Sequence, residues 1–320
     1  MMNDAIKQFA QQFSYAPEVV NSDKLGSFEK FIVLGMGGSH LAADLLLSWR
    51  PEYNITIHSD YDLPAGDISN TLIIASSYSG NTEEVIDGLT VALKKNLPVA
   101  VIAVGGKLIE IAKEKNLPYV QMPDTGIQPR SALGYSFKSM LAVIKDSDGL
   151  TKTTELAGIL NPDSLEEKGK QLAAKLKDHV PVIYTSTRNR AIAYNWKIKL
   201  DETGKIPAFY NVLPELNHNE MTGFDIQSSS KHLSEQFYFI MLKDSSDHKR
   251  VQKRMQILAE LYKSRDLPIE VIDLIGSSAL EKIFSSLILA DWTAFYTAEL
   301  YGLESEQVPM VEEFKDLMKK

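Results

Sequence analysis

Cysteine is missing from all 320 residues. Its absence excludes disulfides, thiolate zinc sites and a cysteine nucleophile, and it suits a reducing compartment. Long apolar runs are also missing: none approaches the roughly 20 residues of a membrane span. The segment Met1–Phe13 lacks the apolar core and cleavage signature of a signal peptide, so a cytoplasmic protein is expected. Basic residues are in the minority, 34 Lys and Arg against 42 Asp and Glu, for a net charge of −8. That balance argues against nucleic acid and membrane surfaces as partners, because both are anionic. What remains is 44% hydrophobic and 24% charged residues, the composition of a globular protein with a sizeable core. The length fits two ordinary domains or one large one.

The most informative stretch is Ser76-Ser77-Tyr78-Ser79-Gly80-Asn81-Thr82. The apolar run Leu72–Ala75 leads in as a buried strand, and Glu83-Glu84-Val85-Ile86 leads out as a helix. Backbone N–H groups at a helix start are unpaired and carry partial positive charge, so they attract anions. Hydroxyl side chains add donors, and Gly80 permits close backbone approach. The plain alternative is an ordinary capped helix with Thr82 as N-cap. One cap needs one hydroxyl, whereas this stretch offers several, and the pattern points to a phosphate cradle. The turn contains no lysine or arginine, so dipoles would hold the ligand.

Apolar runs separated by amphipathic segments recur along the chain. Strands are expected at Phe31–Leu34, Tyr53–His58, Leu72–Ala75, Val99–Val104 and Tyr119–Gln121. In the second half they are expected at Val180–Thr185, Phe237–Leu242 and Ile269–Ile272. Helical patterns lie between them, including Thr82–Lys95, Ser131–Asp146, Asn189–Thr203 and the long apolar Leu280–Tyr301. This alternation predicts an α/β fold with mainly parallel sheets flanked by helices. The polar stretch Asp146–Thr154 reads as the domain boundary, giving domains 1–150 and 151–320. Each half carries a Thr/Ser turn after a buried strand, which suggests an internal duplication.

Gly35-Met36-Gly37-Gly38-Ser39-His40 also follows a strand and opens a helix, as a dinucleotide-binding fingerprint would. His40 stands where the third glycine belongs, although Asp60 ends the next strand as a ribose-binding acid would. A tight turn needing glycine only for backbone shape is a second reading. A third is that Gly37, Gly38 and Ser39 line the same pocket as the serine-rich turn, since loops at the carboxyl ends of parallel strands form ligand crevices.

Taken together, Gly35–Ser39 and Ser77–Thr82 resemble the sugar isomerase (SIS) domain. Three further stretches narrow the resemblance: Pro129-Arg130-Ser131-Ala132-Leu133-Gly134-Tyr135, Glu202 within Lys199–Gly204, and Glu215-Leu216-Asn217-His218-Asn219-Glu220. The set is similar to the bifunctional phosphoglucose/phosphomannose isomerase family, from about residue 30 onwards. The resemblance implies two tandem SIS domains, a homodimer and cofactor-independent interconversion of hexose 6-phosphates through a cis-enediol. It implies no cofactor-binding residue and no metal ligand.

By the same resemblance, Gly38, Ser39, Ser77, Ser79 and Thr82 hold the substrate phosphate, Glu202 is the base, and Arg130 stabilises the enediolate. His218, reaching in from the neighbouring subunit, assists ring opening, and Lys315 lies near the ring oxygen. The chain departs from the pattern at Val308-Pro309, where the family has Thr-Pro, and at His40, where a small residue is expected. His40 is expected to be a packed helix residue. A non-catalytic SIS module that senses a sugar phosphate is the alternative, but it would have no use for Glu202 and His218 together.

Overall fold

The computed structural model describes residues 1–318. They divide into two units, Gln8–Leu160 and a second comprising Met1–Lys7 with Asn161 onwards. In the first unit, five strands form one sheet: β1 (Lys30–Leu34), β2 (Asn54–His58), β3 (Thr71–Ser76), β4 (Val99–Ala103) and β5 (Tyr119–Gln121). All pairs are parallel, in the order β2-β1-β3-β4-β5. The central strands β3 and β4 are buried throughout, which is why they read as continuous apolar runs rather than alternating ones.

Four helices cover this sheet: α1 (Leu41–Trp49), α2 (Glu83–Lys94), α3 (Gly106–Glu114) and α4 (Leu133–Val143). Val85, Leu89 and Ala92 of α2, with Leu108, Ile109 and Ala112 of α3, pack on Ile32, Ile73 and Val101 of one sheet face. The opposite face receives α1 and α4. The chain begins at β1, moves out to β2, and returns across β1 to β3. The strand order therefore reverses between β1 and β3, and in open α/β sheets ligands bind at such a reversal.

The second unit repeats the plan with four parallel strands, β6 (Val180–Ser186), β7 (Phe209–Leu213), β8 (Phe237–Lys243) and β9 (Ile269–Asp273), in the order β7-β6-β8-β9. Its main helices are α5 (Asp163–Leu176), α6 (Arg190–Glu202), α7 (Lys249–Lys263), α8 (Ala279–Leu300) and α9 (Pro309–Met318). Helix α8 is the hub, packed against α5 and α6, with Phe284, Leu287 and Trp292 fully buried. Helix α7 covers the other face through Met255, Leu258 and Tyr262. No helix among the described residues is long and apolar enough to cross a membrane.

Two expectations are adjusted. The division falls at Leu160 rather than near 150, and Met1–Lys7 group with the second unit. The polar stretch read as the domain boundary is helical from Ser147 to Thr154, capped by Asp146, whose carboxylate accepts from the Gly149 N–H at 2.8 Å. It continues into Leu156–Ile159, which packs on the 3-10 turn Phe9–Ser14. Strand β7 escapes prediction because it lies at a sheet edge and only Leu213 is fully buried, so it offers no apolar run.

Candidate active site

The glycine turn and the serine-rich turn leave β1 and β3 at the strand-order reversal, and hydrogen bonds couple them. Ser76 Oγ donates to the Ser39 carbonyl at 2.8 Å, and the Tyr78 N–H donates to Ser39 Oγ at 3.0 Å. Within the serine-rich turn, Ser77 Oγ and Thr82 Oγ1 share a hydrogen bond of 2.7 Å, and Ser77 Oγ accepts from the Gly80 N–H at 3.1 Å. Ser79 Oγ accepts from the Asn81 N–H at 3.2 Å and is exposed.

Thr82 occupies the N-cap position of α2, but its side chain makes no capping hydrogen bond. Its hydroxyl belongs to the turn, so the plain capping reading fails. The first N–H groups of α2 keep their positive end toward the loop without a side-chain cap, the arrangement that favours an anion. Gly80 is required: its φ is +72°, and a Cβ there would lie 1.8 Å from the Gly105 carbonyl oxygen.

Gly38 has a different role. A Cβ on it would meet Pro129 Cβ at 3.1 Å and the Arg130 backbone nitrogen at 3.2 Å. The missing side chain lets the Pro129–Ser131 turn close onto the glycine turn and bring Arg130 to it. Arg130 is 1% exposed. Gln12 fixes the far side of this turn, donating to the Ser131 carbonyl at 2.7 Å and accepting from the Gly134 N–H at 2.9 Å. One unit thus gathers Gly38, Ser39, Ser77, Ser79, Thr82 and Arg130 at the carboxyl ends of β1 and β3.

His40 and Asp60 turn out to have local roles. His40 is buried, and its Nδ1 lies 2.5 Å from Asp44 Oδ2, one helical turn on. Asp60 accepts from the Tyr61 N–H at 2.8 Å and shapes its own turn. Among the described residues no group of three or more His, Asp and Glu side chains is arranged to hold a metal ion.

Glu202, His218 and Lys315 belong to the second unit. Glu202 is the last residue of α6 and is half-buried. Its carbonyl accepts from Lys205 Nζ at 2.7 Å, and the same ammonium bonds the Gln307 carbonyl just ahead of α9. One lysine therefore ties the end of α6 to the segment carrying Val308 and Pro309. Helix α6 is itself pinned by a fully buried pair, Lys199 Nζ to Asp291 Oδ1 at 2.6 Å. An aspartate inside the otherwise apolar run of α8 was the signal for that pair.

His218 is exposed at the end of the 3-10 turn Glu215–His218 that follows β7. The motif around it divides its labour. Leu216 is buried in the core, while Glu220 accepts from the Tyr184 hydroxyl at 2.5 Å and from the Asn211 amide. Burial, the neighbouring Tyr262 and the Glu220 carboxylate push the Tyr184 phenol far up, so it stays a donor. Glu220 anchors the turn and leaves His218 facing outward. Neither Tyr184 nor Asn211 was visible as a partner in the sequence, because each meets Glu220 only through sheet pairing. Lys315 is 58% exposed on α9 and pairs with Glu312 at 2.7 Å.

Comparison with known proteins identifies the relatives of this chain. Residues 165–318 match the family model described as the bacterial phospho-glucose isomerase C-terminal SIS domain. The chain is 34% identical over 327 residues to the bifunctional phosphoglucose/phosphomannose isomerase of Caldicellulosiruptor bescii, covering 97% of this chain and 95% of that protein. It is 31% identical to the enzyme of the same name from Aquifex aeolicus, covering 98% and 97%. In fold it is similar to a hypothetical protein from Thermus thermophilus, with a TM-score of 0.74 at 17% identity over 99% of this chain and 87% of that one. Two parallel α/β sheets, a hydroxyl cradle joined to a buried arginine, and near-full-length identity above 30% lead to one conclusion: the chain belongs to the bifunctional phosphoglucose/phosphomannose isomerase family.

Proposed function

We propose that this isomerase interconverts fructose 6-phosphate with glucose 6-phosphate and mannose 6-phosphate. The observation that carries the reading is the joining of the hydroxyl cradle to Arg130 through Gly38. Ser39, Ser77, Ser79, Thr82 and the backbone at Gly38 anchor the phosphate. This anchoring is electrostatic and does not depend on the state of the reacting carbons.

Glu202 is the base. It removes the proton from C2 of the open aldose and returns it at C1, so that the carbonyl moves from C1 to C2 through a cis-enediol. A carboxylate at a half-buried helix end suits the task, because it can accept a proton while the helix holds it in place. Arg130 stabilises the enediolate oxygen, and a buried guanidinium is more effective there than one in water. His218 transfers a proton to the ring oxygen as the ring opens, with Lys315 near that oxygen. His218 comes from the second subunit of a homodimer, and the enzyme works in the cytoplasm. Val308, in place of a threonine, removes one hydroxyl and tunes the ratio of the two aldose products. The relatives' shared name disfavours the non-catalytic sensor.

The test is a pair of coupled assays supplied with fructose 6-phosphate, following glucose 6-phosphate and mannose 6-phosphate separately. Formation of both is expected. Well-folded protein that binds sugar phosphate without forming either product would overturn the proposal.

A further inference from the structure

The second sheet contains a counterpart of the phosphate crevice. Its order β7-β6-β8-β9 repeats β2-β1-β3-β4, so the boundary between β6 and β8 is a second strand-order reversal, where a ligand crevice is expected. The loop after β8 leads into α7 as the serine-rich turn leads into α2. It reads Asp244-Ser245-Ser246-Asp247, which retains hydroxyls but adds two carboxylates.

Those carboxylates use the donors that surround them. Asp247, 6% exposed, accepts at Oδ1 from Ser186 Oγ at 2.7 Å, on the last residue of β6. Asn189 Nδ2, from the turn after β6, donates to Ser186 Oγ at 3.2 Å and lies 3.5 Å from the same carboxylate oxygen. Asp244 Oδ1 accepts from Lys282 Nζ at 2.6 Å and from the Ser246 N–H at 2.9 Å. The second oxygen of Asp247, Oδ2, is buried and has no hydrogen-bond partner among the described residues.

Burying a carboxylate with one oxygen unpaired is costly, and packing alone would not call for one. What the group supplies is an oxyanion where two loops present donors, the place a phosphate oxygen takes in the first unit. We infer that Asp247 is a built-in surrogate for a bound oxyanion, so the β6/β8 crevice is a phosphate-type site filled from within. The chain then binds a single phosphate group, at the β1/β3 crevice. The comparison rests on reading that first crevice as the phosphate anchor.

Removing the surrogate exposes the latent site. Asp247→Ser, which substitutes a hydroxyl, is titrated calorimetrically with inorganic phosphate beside the wild type, with circular dichroism confirming the fold. A single phosphate per wild-type chain is expected, and a second one in the variant. If instead the first crevice does not take phosphate, the wild type binds none and the variant binds one, so the two readings fail separately. A folded variant with the wild-type count, or a wild type that already binds two, overturns the inference. If the variant does not fold in chloride, it is refolded in phosphate of equal ionic strength, in a Ser79→Ala background that weakens the first site. Recovery of the native spectrum in phosphate alone supports the surrogate role, and equal failure in both salts overturns it.

Discussion

The Ser76 hydroxyl donates to the Ser39 carbonyl at 2.8 Å, joining residues that are 37 positions apart in the chain. Strand pairing places β1 beside β3 in register, with Leu34 opposite Ala75, so the two loops leave the sheet side by side. The hydrogen bond then couples the two loops. Loops that are already coupled need less ordering when a ligand binds between them, which lowers the entropic cost of association.

Ser79 tests the anchoring role. Its hydroxyl is exposed in the turn and accepts from the neighbouring Asn81 N–H. Ser79→Ala is expected to raise KM by about 10- to 100-fold, the loss of one hydrogen bond to a charged group, while kcat changes little. An equal fall in kcat with KM unchanged would assign the hydroxyl to the transition state instead.

Gly38 tests the joining of anchor and arginine. Gly38→Ala introduces a Cβ 3.1–3.2 Å from the Pro129–Arg130 backbone and ring, so the turn must give by a few tenths of an ångström. A fall in kcat of about 10- to 100-fold is expected from the misplaced guanidinium, with a loss of stability no greater than about 1–3 kcal/mol. Steady-state kinetics and thermal melts on the same sample separate the two effects.

Glu202→Gln preserves shape and hydrogen bonding but removes the base. Turnover is expected to fall by about 10²–10⁴-fold, with substrate affinity nearly unchanged. Loss of solvent-proton exchange at C2, followed by NMR in deuterated water, checks that the lost step is the proton transfer. Retained exchange would mean that another group is the base.

Mixing variants tests the contribution of His218 across subunits. Glu202→Gln and His218→Ala chains are each expected to be nearly inactive. Unfolded together and refolded, half the dimers are mixed, and each mixed dimer keeps one intact site. Activity of about a quarter of wild type is then expected. No recovery in demonstrably mixed dimers would place both residues on one chain.

Asp244 gives a pH-dependent prediction. Burial pushes its carboxyl up, but the Lys282 ammonium and the Ser246 N–H together outweigh burial and leave it below the ordinary value. A depressed native pKa contributes stability that is fully present above the unfolded value, about 3.9, and is lost as pH falls through the native one. Lys282→Met should therefore lower the melting temperature at pH 7, and the gap to wild type should shrink as pH drops below about 4. A gap of constant size down to pH 2 would mean that the lysine acts through packing.

What could be read from the sequence was local. Buried strands announce themselves as apolar runs, and the tight turns announce themselves through glycine and hydroxyls. Both signals lie within a few residues of each other. Strand β7 was not readable because an edge strand buries too little to need an apolar run. Glu220, which anchors the His218 turn through Tyr184, gave no sign of its partner either.

The sequence by itself determined the alternating α/β plan, the Ser76–Thr82 turn and the family motifs, because each depends on short-range patterns of volume, polarity and backbone freedom. The tertiary structure alone decided that Thr82 serves the turn rather than capping its helix, that Gly38 exists to admit the Arg130 turn, and that Asp247 meets the Ser186 hydroxyl at the end of β6. The last two of those outcomes depend on contacts between segments dozens of residues apart. Such contacts are set by strand order and sheet register, which no local pattern encodes.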